Sequence, residues 1–270
     1  MPEYSLGHSA AEQERLQRQA DYLRGITESI WRTAGITPGL RVLDVGCGVG
    51  DTTFLAADLV GPGGSVIGMD RSSDALVTAR RRAETDGRTN VLFVQGELGS
   101  PIPGQGPFDA VVGRYVLVHQ QDIAAALRSL GALVRPAGLV AFHEVELDLR
   151  FVSDPSSDFA HRVYFWLREA CRLGGMQLHA VSQMPRYFYE AGFGWPETEI
   201  HPLVGCGPES FGPGYVVSTL SSIAPLLVKA GVVTEDELGL DTLEARLRES
   251  CAKGAASMAQ INSGVWARRT

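Results

Sequence analysis

The chain has 270 residues, 44% of them hydrophobic and 20% charged, and its formal net charge is -7. This length and composition are ordinary for a folded globular protein, which excludes a largely disordered chain and a small scaffold that needs disulfides. The acidic balance argues against a broad surface that binds nucleic-acid phosphates.

The cysteines and the apolar segments indicate the compartment. No C-x-x-C pair typical of zinc or redox sites occurs, and the cysteines are Cys47, Cys171, Cys206 and Cys251. No apolar run approaches the ~20 residues that cross a bilayer, and the first residues lack the order of a signal peptide. We therefore expect reduced thiols in a cytoplasmic protein with neither a membrane nor a nucleic-acid partner, and a homo-oligomer is left open.

A long helix is predicted first. Ser9 and Glu12 have the spacing of a capping box, and apolar residues then recur near helical spacing to about Ala34. A glycine and a Pro-Gly pair end the pattern. We assign residues 1–39 to an N-terminal helical lid.

An alternation of apolar strands and amphipathic helices follows. The predicted strands are 41–45, 65–70, 91–95, 108–113 and 139–146, and the predicted helices are 51–60, 72–86 and 120–134. This order predicts an α/β fold with a doubly wound, mostly parallel, Rossmann-like sheet. Ligands of such sheets bind at the carboxyl ends of the strands, so the loops after these strands are the places to search.

The regular alternation ends near residue 150. Segment 157–193 is predicted to be helical and is dense in aromatic residues and methionine. A sixth strand, more helix and a seventh strand are predicted at 196–204, 213–253 and 258–268. The resulting domains are a core of 40–150 and 195–270, a helical insertion in it at about 205–257, and a helical substrate cap at 151–194.

The strongest motif is the segment Val42 to Gly50, an apolar strand that runs into glycines spaced G-x-G-x-G. Glycines let the backbone turn sharply and approach a ligand, and the following helix N-terminus offers unpaired N–H groups. The spacing differs from the dinucleotide fingerprint G-x-G-x-x-G and from the P-loop.

With its neighbours, this segment resembles the first motif of the class I S-adenosylmethionine-dependent methyltransferases. Asp44 and the three glycines match that motif, Phe108 to Arg114 resembles the fourth motif, and Leu133 to Leu139 resembles the signature before the fifth strand. The resemblance extends over roughly residues 35–146. It implies a Rossmann-like core with S-adenosylmethionine as the cofactor.

The resemblance also implies roles for single residues. Asp70 matches the acid that bonds the ribose hydroxyls, and Glu97 takes the place of an aspartate that contacts the adenine amino group. The alternative is that these acids only cap helices or face water. The expected cofactor-binding residues are Asp44, Gly46, Cys47, Gly48, Gly50, Asp70, Arg71, Glu97, Leu98 and Arg114.

Methyl transfer from a sulfonium needs an aligned nucleophile, and a base only where the acceptor has a proton to lose. His119, just beyond the fourth strand, is the first candidate base, and a helix-capping or solvent-facing histidine is the alternative. His143 and Glu144 end the fifth strand on opposite faces, so only one is expected in the pocket. We favour Glu144, which makes His119 and Glu144 the predicted catalytic pair.

The acceptor is expected under an apolar cap. The candidate substrate-binding residues are Tyr4 and His8, as part of the lid, and Tyr164, Met184, Tyr187 and Phe188. Core packing is the alternative for the aromatic residues, and a frayed tail is the alternative for the lid. His161, His179 and His201 lack the spacing of a metal site, so no metal is expected.

The sequence therefore predicts a methyltransferase for O-, N- or C-methylation of an apolar or aromatic small molecule in secondary metabolism, with S-adenosylhomocysteine as a product. Two alternatives stay open. One is a protein of the same fold that binds the cofactor but catalyses cyclisation or only binds. The other is an NAD(P)-dependent oxidoreductase, which the glycine spacing disfavours.

Overall fold

The computed structural model describes residues 10–148, 157–207, 209–252 and 256–270. Its strands are β1 (Arg41–Val45), β2 (Ser65–Asp70), β3 (Val91–Gln95), β4 (Phe108–Arg114), β5 (Val134–Glu146), β6 (Glu197–Cys206) and β7 (Ala256–Arg268). Its α-helices are α1 (Ala10–Ala34), α2 (Asp51–Val60), α3 (Ser73–Thr85), α4 (Ile123–Ala132), α5 (Asp158–Leu173), α6 (Ala180–Glu190), α7 (Phe211–Lys229), α8 (Glu235–Leu238) and α9 (Leu240–Ala252). A 3₁₀ turn covers Leu117–His119.

The strands form one seven-stranded sheet in the order β3-β2-β1-β4-β5-β7-β6. The pairs β1–β2, β1–β4, β2–β3 and β4–β5 are parallel. The predicted doubly wound α/β fold is confirmed. The chain reverses its direction of travel across the sheet between β3 and β4, so the carboxyl ends of β1 and β4 flank a topological switch point.

Before residue 150, two predicted boundaries differ from the structure by three residues or more. Strand β5 begins at Val134, five residues before the expected start, because Phe108 already pairs with Val134 and a register shift follows before Ala110 pairs with Leu139. Helix α4 begins only at Ile123, since Asp122 caps it by accepting the Ala125 N–H at 2.8 Å.

The chain divides into two compact units, and each is described by itself. The sheet unit comprises Leu16–Glu144, Ala180–Ile200 and Ser263–Thr270. The helical unit comprises Met1–Arg15, Val145–His179 and His201–Asn262. The two helices of the predicted cap belong to different units, because α5 lies in the helical unit and α6 in the sheet unit.

The core of the sheet unit forms where helices cover the strands. Trp31 and Ile30 of α1 and Leu55 of α2 pack in one buried cluster with residues of the central strands, including Val42 and Ala110. These apolar positions of α1 recur at helical spacing, as the sequence indicates. The predicted cap Ser9 and the lid residues Tyr4 and His8 lie outside the described residues.

The core of the helical unit is one apolar cluster made mainly by α5, α7 and α9. Helix α7 is 19 residues long with a mean hydropathy of 1.4, enough by length and composition to cross a membrane. The expectation that no apolar run is this long was therefore wrong. The helix contributes Val216, Val217, Leu220 and Leu227 to the buried cluster.

Candidate functional site

The glycine loop between β1 and α2 has three left-handed residues, Gly46, Gly48 and Gly50, at φ of 66°, 53° and 97°. A side chain is disfavoured at each because L-residues rarely adopt positive φ. At Gly46, an added Cβ would also lie 2.7 Å from Cγ2 of Val116. The loop therefore needs glycine both for its backbone conformation and for its contact with Val116.

Asp44 precedes this loop and is fully buried. Its Oδ2 accepts hydrogen bonds from the hydroxyls of Thr52 at 2.8 Å and Thr53 at 2.7 Å, at the start of α2. Burial raises the pKa of Asp44 to about 7, against the effect of the two hydroxyls and of Arg114. Its other oxygen, Oδ1, is buried without a hydrogen-bond partner among the described residues. A ligand with a polar hydrogen fits such an orphaned acceptor.

Asp70 joins the glycine loop to α3. Its Oδ2 accepts the Gly48 N–H at 2.8 Å, and its Oδ1 accepts the Ser72 N–H at 2.8 Å. Ser72 in turn caps α3 by accepting the Ala75 N–H. A carboxylate has about four acceptor positions, so Asp70 can hold its backbone partners and still accept from two hydroxyls of a ligand.

The remaining predicted cofactor residues differ in their exposure and contacts. Gln95 at the end of β3 donates its side-chain N–H to the carbonyl of Arg71 at 2.9 Å. Glu97 is exposed and Leu98 is partly buried. Cys47 is buried, and burial raises the pKa of its thiol well above the ordinary value. A thiol that stays protonated is a poor nucleophile.

His119 lies in the 3₁₀ turn that follows β4. Burial, with a smaller contribution from the charge of Arg71, lowers its pKa from 6.5 to about 4. The imidazole is therefore neutral at pH 7 and has a nitrogen able to accept a proton. The segment that leads into this turn contacts the glycine loop, since Cγ2 of Val116 lies 2.7 Å from where a Cβ of Gly46 would be.

His143 and Glu144 are both fully buried. His143 Nδ1 lies 2.9 Å from the Thr27 hydroxyl of α1, and its ring meets that of Tyr115 edge-on at 5.3 Å. Glu144 accepts three backbone N–H groups of the segment after β4. The alternation of the strand separates the two side chains, and the structure holds each of them with hydrogen bonds to the protein itself.

The predicted substrate residues belong to both units. Tyr164 lies on α5 of the helical unit, where burial raises the pKa of its hydroxyl. Met184 and Phe188 are buried one turn apart on α6 of the sheet unit. Tyr187 of the same helix donates its hydroxyl to Gln183 at 2.9 Å. Contact with an acceptor stays a prediction for all of them.

Several residues that shape the site carry no sequence motif. Thr52 and Thr53, which hold Asp44, and Val116, which contacts the glycine loop, are ordinary residue types. A pair of hydroxyl residues at the start of the helix after a buried strand-end acid is the signal that could have indicated the first two. Among the residues that the structure describes, no group of three His, Cys, Asp or Glu side chains could hold a metal ion.

Comparison with known proteins gives a consistent result. A family model described as a methyltransferase domain matches residues 36–184. A demethylmenaquinone methyltransferase of Lactococcus lactis is 34% identical over 116 residues, 41% of this chain and 46% of that protein. An arsenite methyltransferase of Aquipseudomonas alcaligenes is 34% identical over 127 residues, 44% of this chain and 37% of that protein.

Solved structures support the same fold. The YcgJ protein of Bacillus subtilis has a TM-score of 0.58, with 93% of this chain and 99% of that chain covered at 17% identity. The chain spans less than half of the length of the first curated relatives that it matches. The relatives also differ in the acceptor for which they are named.

Proposed function

Because the chain belongs to the class I S-adenosylmethionine-dependent methyltransferase family, we propose that it transfers a methyl group from S-adenosylmethionine to an apolar or aromatic small molecule. The observation that carries the proposal is the joint geometry of Asp44, Asp70 and the glycine loop. Asp70 accepts a hydrogen bond from the loop itself, and Asp44, next to the loop, keeps Oδ1 as a buried acceptor without a partner among the described residues.

The residues present fit this cofactor. Asp70 would accept the two ribose hydroxyls, and the left-handed glycines would let the backbone approach the cofactor without a Cβ between them. Oδ1 of Asp44 would accept a polar hydrogen of the bound cofactor. When bound, the cofactor supplies a methyl group on a sulfonium, which a nucleophile displaces in line.

The class of acceptor is argued from this chain, because the relatives are named for a quinone and for arsenite. A soft metalloid prefers thiolate ligands. The free cysteines that the structure describes, Cys47, Cys171 and Cys251, are all buried, and burial raises the thiol pKa of Cys47 and Cys251. None of these three cysteines offers an exposed thiolate to arsenite, and we propose the apolar or aromatic acceptor that the sequence predicts.

His119 is the proposed base for an acceptor with an acidic proton. The acceptor oxygen would attack the methyl carbon, and the cofactor would supply that methyl group and leave as the neutral thioether with the electron pair of the broken carbon–sulfur bond. The acceptor proton would pass to the imidazole, which is neutral at pH 7; its pKa, lowered to about 4, makes it a weaker base than an ordinary histidine. For a carbon or nitrogen acceptor the same nitrogen takes the proton lost there.

Two measurements on the full chain test the proposal. The melting temperature should rise with saturating S-adenosylhomocysteine, since a ligand that binds only the native state stabilises it. Cofactor labelled in the methyl group should then transfer label to one member of a panel of an alkylated catechol, an alkylated hydroquinone, an aromatic amine and arsenite. The expected product carries the label on the aromatic compound.

Each contrary result has a different meaning. If S-adenosylhomocysteine gave no shift and NADH fluorescence changed on mixing, the oxidoreductase alternative would replace this proposal. Cofactor binding with no transfer to any acceptor would favour cyclisation or binding alone. Transfer to arsenite but not to the aromatic compounds would overturn the acceptor class and leave the donor intact.

A further inference from the structure

Glu144 is a fully buried carboxylate whose partners are backbone amides. Its Oε1 accepts the N–H of Val116 at 3.0 Å and that of Leu117 at 2.8 Å, and its Oε2 accepts the N–H of Val118 at 3.3 Å. Three successive N–H groups that converge on one site form a cradle for an anion. In this protein, the side chain of β5 fills that cradle.

The segment held by Glu144 begins at an unusual backbone conformation. Tyr115 has a φ of 56°, which is rare for a residue with a Cβ, and its N–H donates to the His143 carbonyl at 2.9 Å. Such a conformation persists only where the surrounding structure fixes it. The amides that follow Tyr115 are fixed by Glu144, so the carboxylate sustains the sharp change of direction after β4.

The same segment contacts the glycine loop. Cγ2 of Val116 occupies the space where a Cβ of residue 46 would lie, 2.7 Å from that position. The amide of Val116 is one of the three that Glu144 holds. The position of Val116 therefore depends on the Glu144 carboxylate. Because Val116 packs against Gly46, the position of the glycine loop depends on that carboxylate as well.

We propose that Glu144 is a positioning residue that sets the affinity for the cofactor by holding Val116 against the glycine loop. It acts through the backbone of residues 116–118 and does not touch the reacting atoms. This replaces the catalytic role that the sequence suggests for Glu144. The inference rests on the proposed function only in taking the glycine loop as the cofactor site.

Two substitutions remove the hydrogen bonds between Glu144 and the amides of residues 116–118 to different extents. Glu144→Gln keeps one oxygen for the amides of Val116 and Leu117, but it turns a second donor toward the N–H of Val118. Glu144→Leu removes all three acceptors and leaves the amides buried without partners, which is costly. Glu84→Gln removes an exposed carboxylate on α3 and is the matched control.

The experiment is calorimetric titration of the full chain with S-adenosylhomocysteine at about pH 8, above the raised pKa of Glu144, and at a temperature where circular dichroism shows each variant to be folded. Glu144→Gln should raise the Kd about tenfold, the size expected for weakening hydrogen bonds to a charged group, and Glu84→Gln should leave it within about twofold. Val116→Ala, which keeps the carboxylate, should raise the Kd in the same direction. It is the second test if Glu144→Leu does not fold.

Separate measurement of KM and kcat distinguishes a positioning role of Glu144 from a structural or a catalytic one. With the acceptor found in the labelling assay, Glu144→Gln should raise KM for S-adenosylmethionine and leave kcat and the acceptor KM near the wild-type values. An unchanged Kd in a folded, less stable Glu144→Gln protein would show a merely structural role and overturn the inference. A lower kcat at unchanged Kd would overturn it in favour of a catalytic role. Failure of the wild-type chain to bind would instead refute the proposed function.

Discussion

The sheet unit and the helical unit use buried side chains in different ways. Near the ends of its strands the sheet unit buries polar groups in specific hydrogen bonds, among them Asp44 with two threonines, His143 with Thr27, and Glu144 with three amides. The helical unit buries a cluster of apolar side chains from α5, α7 and α9. Buried hydrogen bonds require specific partners in specific positions, whereas an apolar cluster can be built from many combinations of residues.

This difference predicts where substitutions act on chemistry and where they act on stability. The largest effect is expected in the sheet unit. His119→Gln should lower kcat by ~10²–10⁴-fold for an acceptor that must lose a proton, because it removes the proposed proton acceptor. The affinity for S-adenosylhomocysteine should stay close to that of the wild type. Steady-state kinetics with the labelled cofactor provide the measurement.

The control for this variant is His161→Gln, an exposed histidine on α5. It should leave kcat unchanged. A wild-type kcat in the His119→Gln protein would show that His119 does not act in the chemical step. The sheet unit would then differ from the helical unit only in its role in cofactor binding.

A core substitution in the helical unit should affect stability instead. Leu220 of α7 is fully buried, so Leu220→Ala should lower the free energy of unfolding by ~2–5 kcal/mol through lost burial and the cavity left behind. The Kd for S-adenosylhomocysteine should not change while the protein is folded. Urea unfolding and calorimetry measure the two quantities, and a Kd raised in parallel with the loss of stability would break the contrast.

A substitution of Asp70 should affect the affinity for the cofactor product. Asp70→Ala should weaken the binding of S-adenosylhomocysteine by ~1–3 kcal/mol through lost hydrogen bonds to the ribose. Asp74→Ala, which removes an exposed acid in the first turn of α3, is the control and should bind like the wild type. Equal affinities of all three proteins in calorimetry would take Asp70 out of the cofactor site.

A further effect should appear in the dependence of stability on pH. Burial raises the pKa of Asp44 and of Glu144 to about 7, from ordinary values of 3.8 and 4.5. The folded state therefore keeps protons that the unfolded chain has released between about pH 4 and 7. The free energy of unfolding should fall as the pH rises through this range, by up to ~1.4 kcal/mol per pH unit for each group.

Urea unfolding of the wild type and of Asp44→Asn between pH 5 and 8 measures this slope. The variant should show a shallower decrease, since asparagine cannot release a proton. Identical slopes in the two proteins would mean that Asp44 is ionised in the folded state across the range.

The two units also differ in how much the sequence reveals. The strand ends that place Asp44, Asp70 and the glycine loop follow from apolar runs, turn residues and one spacing pattern, and the structure has them at the expected boundaries. The role of Val116 could not be predicted, because it depends on a contact across 70 positions of the chain. The hydrogen bonds of Glu144 to the amides after β4 likewise depend on the register between two strands.

In the predicted cap, periodicity indicates which residues are helical but not what their apolar faces cover. Met184 and Phe188 fit a substrate pocket by composition, and the structure buries both on α6 within the sheet unit. Nor does hydropathy distinguish α7 from a membrane-spanning helix, since its environment depends on the packing of α5 and α9 around it.

The two hydroxyls that bind Asp44 have a consequence for the loop they enclose. Thr52 and Thr53 tie the first turn of α2 to the last part of β1, and the N–H of Cys47 binds the carbonyl of Met69 on the neighbouring strand. These hydrogen bonds fix the number of residues that the loop can have between Asp44 and the first turn of α2. Evolution and engineering can exchange side chains at the non-glycine positions of the loop. Inserting or deleting one residue would instead break the hydrogen bonds of Thr52 and Thr53 to Asp44.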